Sequence, residues 1–150
     1  GSMDVLAARR VARYSAWWSL GTGIALAAFM LLVTPGVISL LVPAAAVSVF
    51  MPAWVISSLT QPINALAFIT DGIHWGTSDY RFLRNAMFAA TGSGVIALLL
   101  VDTSQPDALT WVWLATSLWI CVRAVFGVFR VWPGMANSPL QPQASYVDTL

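Results

Sequence analysis

Lysine and glutamate are both missing from these 150 residues, and histidine and cysteine occur once each. Charge is scarce altogether, at 9% of residues, with none between Arg13 and Asp71. A chain so poorly charged cannot be an ordinary water-soluble domain, because it has too little polar surface to cover its apolar content. The lone cysteine, Cys121, lies inside an apolar run, so no disulfide framework or zinc site can be built within the chain. Its expected role is that of a small buried side chain. With seven arginines against six aspartates the pI is about 8.2, and this small basic excess bears on membrane topology rather than on nucleic-acid binding.

What fills the chain is hydrocarbon: 59% of residues are hydrophobic and the mean hydropathy is +0.78. A bilayer core about 30 Å thick needs roughly 20 mostly apolar helical residues to span it. Four stretches meet this requirement: Ala16–Val33, with an option of continuing past Pro35-Gly36, then Val47–Ile69, Leu83–Val101 and Leu109–Trp132. The connections carry Pro, Gly, Asp and Ser, the usual helix stops. The expected fold is all-α, a polytopic membrane segment of four helices over residues 1–132. A polar, Pro-rich tail follows over 133–150 and is expected to be disordered. No span is followed by a small-residue cleavage pattern, so no signal peptide is expected.

The arginines orient the spans. Arg9, Arg10 and Arg13 precede the first, Arg81 and Arg84 lie between the second and third, and Arg130 closes the fourth; the other two connections have none. The positive-inside rule then places both termini in the cytoplasm and the segments around Pro43 and Asp102–Asp107 outside.

The opening GSMDVLAARR resembles an internal segment, GTSDYRFLRN. Gly1, Asp4 and Arg9 match Gly76, Asp79 and Arg84, and each copy is followed by an outgoing helix, an arginine-free connection and a returning helix. This reads as a repeat of two helices, not as a cloning scar. The chain is then expected to begin within a cytoplasmic loop.

The run QPINALAFITDGIHWGTSDYRFLRNAM resembles the multidrug and toxic compound extrusion (MATE) transporters, in particular the DinF-like branch, in which a Q-P-x-N-A-L-A-F helix precedes D-G-x-x-x-G-x-x-D and a basic loop. GSMDVLAARRVARYSAWWSL is similar to that family's preceding loop and helix, and LTWVWLATSLWICVRAVFGVFR to its closing helix. The resemblance covers about Gly1 to Trp132. It implies that the chain corresponds to helices nine to twelve of a twelve-helix transporter in a bacterial plasma (inner) membrane. Such proteins exchange protons or sodium for cationic, amphipathic compounds. No cofactor is implied, and the coupling residues would lie in parts of the transporter outside this chain. The implied partners are the lipid bilayer, the remaining helices and the cationic amphipathic substrates, with no nucleic acid. Four helices alone are expected neither to transport nor to form a closed bundle.

Ser57, Gln61, Asn64, Phe68 and Asp71 recur at spacings of four and three, which sets them on one face of the second span. An amide facing hydrocarbon is costly, so Gln61 and Asn64 must meet protein or water. They either line a substrate cavity, together with Ser57 and Phe68, or fasten this helix to its neighbours. Pro62 lacks a backbone donor and should kink the helix at mid-membrane. Arg123, within the fourth span, is expected to reach the cytoplasmic surface past Gly127; the alternative is a wet interior near Asp71. Asp71 and Asp79 could form a cytoplasmic gate with Arg81, Arg84 or Arg123, or could be solvated loop charges. Gly21, Gly23, Gly92 and Gly94 are expected to let helices approach closely. His74, beside Trp75, reads as an interfacial loop residue, with pH sensing as the alternative.

Two rival classes fit less well. A small self-sufficient drug exporter needs a mid-membrane carboxylate to carry protons, and this chain has none. Asp71-Gly72 invites comparison with phosphatidyltransferases, but those set several aspartates around one metal with Ala-Arg soon after the glycine; here Ile73-His74-Trp75 follows, so no enzyme is expected. The remaining alternative is a standalone four-helix scaffold or assembly protein without transport activity.

Overall fold

The computed structural model describes residues 4–132, 135 and 138–140. Among these the chain is all helical: α1 (Val5–Leu32), a short α2 (Thr34–Leu41), a 3₁₀ turn (Ala44–Ala46), α3 (Val47–Gly76), α4 (Tyr80–Leu99) and α5 (Ala108–Val131). α1, α3, α4 and α5 are each long and apolar enough to cross a bilayer, which bears out the expected membrane architecture.

The helix ends differ most from expectation at two places. α1 starts at Val5 rather than Ala16, because Asp4 caps it: the carboxylate accepts a hydrogen bond of 2.9 Å from the Ala7 amide. α3 runs on to Gly76 instead of stopping at Ile69. A glycine inside a helix costs about 1 kcal/mol, and here Gly72 is outweighed by its buried neighbours Thr70, Asp71 and His74. α3 also passes through Pro52 and Pro62 without interruption.

A Schellman motif ends α3. The Asp79 amide donates to the His74 carbonyl (2.9 Å) and the Ser78 amide to the Trp75 carbonyl (3.2 Å), with Ser78 left-handed at φ 58°. The chain thereby reverses in three residues, and Asp79 lies directly before α4 as Asp4 lies directly before α1. The two copies of the repeat thus take the same place relative to their helices; Gly1 is outside the described residues.

The helices form an open row. α1 packs on α3, α3 on α5 and α5 on α4, while α4 meets α3 only slightly and α1 shares no extensive interface with α4 or α5. Three glycines set the spacing of this row. A Cβ on Gly23 would lie 2.8 Å from the Pro62 Cα, one on Gly127 would lie 2.6 Å from the Thr70 Cβ, and one on Gly94 would lie 3.0 Å from the Trp119 Cβ. Gly21 and Gly92, each two positions away and so on the far side of its helix, face open space. Polar contacts add to the packing: Ser19 donates to the Ala65 carbonyl (2.9 Å), and Thr60 and Ser117 share a hydrogen bond of 2.9 Å between α3 and α5.

Most of the expected tail lies outside the described residues. Of the described part, Leu140 is buried and packs with Ala12 and Val131.

Candidate functional site

The starts of α1 and α4 and the ends of α3 and α5 meet at one end of the row, where two ion pairs link α3 and its following turn to α5. Asp71 accepts from Arg123 through Oδ2, with Nε at 2.7 Å and Nη2 as a second donor. Asp79 accepts from Arg130 in a two-pronged arrangement, Nε to Oδ2 at 2.8 Å and Nη2 to Oδ1 at 3.1 Å. Aromatic rings flank both guanidinium groups. Arg123 lies 4.7 Å from the Phe68 ring centroid and 5.5 Å from that of Trp119, and Arg130 lies 4.8 Å from that of Phe82. Flat, delocalised guanidinium groups suit such settings, because they stack on rings while their edges donate.

This arrangement corrects three expectations. Arg123 does not extend to the surface but takes the alternative place near Asp71; it is 6% exposed, because Asp71 offers a carboxylate on the adjacent helix at the same depth. Arg81 and Arg84 are not the partners of Asp71 or Asp79: both are exposed, and Arg84 donates to Asn85 instead. They sit on the exposed side of the first two turns of α4, whereas the Schellman turn aims Asp79 at α5. His74 is not a loop residue. It lies in the last turn of α3, 1% exposed, with Nδ1 3.4 Å from Asp79 Oδ2 and its ring 5.2 Å from Phe82. Neither ring nitrogen makes a hydrogen bond among the described residues.

Arg130 was the partner that sequence reasoning missed. Its spacing of seven from Arg123 runs beside the spacing of eight from Asp71 to Asp79, and that match of registers was the available signal.

The polar stripe continues from this cluster toward the middle of α3. Asp71 and Phe68 belong to the ion-paired end; Phe68 is otherwise 61% exposed. Gln61 satisfies its amide locally, donating to the Ser57 carbonyl at 3.0 Å, and Ser57 is buried. Asn64 is half-buried, and its amide makes no hydrogen bond among the described residues. Pro62 turns toward α1, where it meets Gly23.

At the opposite end a cleft of about 460 Å³ opens between α4 and α5, lined by Leu100, Trp111, Leu114 and Leu118 with Asp102 and Gln105 at its rim. Hydrogen bonds from the Ser104 hydroxyl, the Ser104 amide and Gln105 hold the Asp102 carboxyl below its ordinary pKa.

Parts of the chain are similar to DETOXIFICATION (MATE) proteins of Arabidopsis thaliana. Protein DETOXIFICATION 44, chloroplastic, is 31% identical over 91 residues, 56% of this chain and 17% of that protein. Protein DETOXIFICATION 45, chloroplastic, is 35% identical over 72 residues, 48% of this chain and 12% of that protein. Protein DETOXIFICATION 43 is 29% identical over 75 residues, 50% and 14% of the two chains. The chain therefore spans less than a fifth of the length of these relatives. No protein-family model matches it, and no solved structure matches it. The relatives are of the same family that the sequence resembles, and they come from a plant rather than a bacterium.

Proposed function

We propose that this chain is the C-terminal part, about helices nine to twelve, of a MATE secondary transporter of the DinF-like branch, which exports cationic amphipathic compounds in exchange for protons or sodium. Membrane-spanning helices and similarity to MATE proteins support the coarser reading, membrane transport rather than catalysis. In the finer reading the protein resides in a bacterial inner membrane with its arginine-rich end in the cytoplasm, and ion coupling is supplied by helices outside this chain.

The observation that carries the cavity assignment is Asn64. A half-buried amide without a partner, on an open helix face in a membrane-spanning segment, requires water, substrate or another helix to satisfy it. In the full-length transporter Asn64→Leu should change which cations are exported while membrane abundance stays near normal. A uniform loss of export that tracks protein level would show instead that Asn64 fastens helices together, and unchanged export and abundance would place it on a tolerant surface.

A further inference from the structure

The row of helices has two unlike faces. On one lie Asn64, Phe68 and Asp71 of α3 and Arg123 of α5. On the other lie Leu66, half a helical turn from Asn64, and Val128 and Trp132, which fall on the far side of α5 from Arg123. Between α1, α3 and α5 this second face holds a groove of about 270 Å³, lined by Arg13, Trp17, Leu20, Leu66, Val128 and Trp132 among others. Its walls are hydrocarbon and aromatic except at one end, where Arg13 stands.

We propose that this groove binds an anionic phospholipid, with the phosphate held by Arg13 and one acyl chain lying over Leu20, Leu66 and Val128. The depth fits: Arg13 to Leu20 is seven residues, about 10 Å of helical rise, from headgroup level into the upper hydrocarbon. Trp17, 68% exposed, and Trp132 lie near the arginine end, where indole rings favour the membrane interface.

The charge also fits. Arg13 is exposed and has no ion-pair or hydrogen-bond partner among the described residues. No carboxylate lines the groove. One turn earlier on the same face, Arg9 donates to the Trp132 carbonyl at 3.4 Å, which ties the start of α1 to the end of α5 and leaves Arg13 at the mouth. A cationic group closing an apolar groove at headgroup depth matches a lipid with a phosphate head and a hydrocarbon tail. The inference depends on membrane insertion and not on the transport reading, so loss of one leaves the other standing.

The test uses the protein reconstituted in phosphatidylcholine vesicles that carry a trace of phosphatidylglycerol with a photoreactive acyl chain, or the same probe on phosphatidylcholine. After illumination, labelled peptides are mapped by mass spectrometry. The phosphatidylglycerol probe should label the segments around Leu20, Leu66 and Val128 about fivefold more than the phosphatidylcholine probe, the size expected of one arginine acting on an anionic head. Arg13→Gln should abolish that excess, whereas Arg10→Gln, which changes an exposed arginine outside the groove, should keep it. Leu20→Trp, which fills the groove without changing charge, should lower labelling by both probes there. Equal labelling by the two probes would overturn the proposal. So would equal loss in the Arg10 and Arg13 variants, which indicates diffuse attraction, or no labelling of the groove while exposed Leu99 and Leu100 are labelled, which indicates that protein covers it.

Discussion

Arg123 and Asp71 lie 52 positions apart in sequence, yet Nε of one is 2.7 Å from Oδ2 of the other in a buried contact between α5 and α3. Removing one member leaves the other charge buried without its counterion, at a cost of about 3–5 kcal/mol. Asp71→Asn or Arg123→Gln alone should therefore lower thermal stability in detergent strongly. The double variant, which leaves two neutral groups able to hydrogen-bond, should recover much of the loss. Additive losses in a double-mutant cycle would show that the pair is not coupled. Arg123→Lys should also be destabilising, because an ammonium cannot both reach the carboxylate through two donors and lie flat between Phe68 and Trp119.

The turn that aims Asp79 toward Arg130 places Ser78 at φ 58°, in the left-handed region where a side chain is disfavoured. Ser78→Gly should stabilise the protein by about 0.5–1 kcal/mol while keeping the turn, and Ser78→Val should destabilise it by at least as much. Melting temperatures of the two variants, measured side by side, check the sign.

The glycines separate by face. Gly23→Ala and Gly127→Ala would force a methyl group to within 2.8 Å of the Pro62 Cα and 2.6 Å of the Thr70 Cβ. Side-chain rotation cannot move either of those atoms away. Each substitution should cost about 1–3 kcal/mol. Gly21→Ala and Gly92→Ala meet nothing within 4 Å and should be neutral or slightly stabilising. If all four variants melt alike, the helix row is spaced differently from the arrangement described.

The helices themselves were legible because four long apolar runs leave little choice of structure. Their ends were less so. Asp71-Gly72 has the local chemistry of a helix stop, and what carries α3 past it includes an ion pair with Arg123, a partner that no window around Asp71 contains. His74 was misplaced for the same reason. For Gly21 and Gly23, spacing shows that the two point to opposite sides, but only the position of Pro62 on α3 shows which side is packed. The polar stripe was readable as a face; that Gln61 would satisfy itself on Ser57 while Asn64 would not depends on side-chain geometry.

The arginines flanking the spans collect at one end of the row: Arg9, Arg10 and Arg13 lie at the start of α1, Arg81 and Arg84 at the start of α4, and Arg130 at the end of α5. Ser104 lies at the other end, in a connection with no arginine, while Ser78 lies in the turn between α3 and α4 at the arginine end; both are exposed. Arginine-bearing ends are retained in the cytoplasm during insertion. In a Cys121→Ser background, a membrane-impermeant thiol reagent added to intact cells should therefore modify Ser104→Cys and leave Ser78→Cys untouched. After the cells are broken open, both should react, which shows that Ser78→Cys was protected by the bilayer and not by burial. Labelling of Ser78→Cys alone in intact cells would invert the topology and would move the groove beside Arg13 to the outer leaflet.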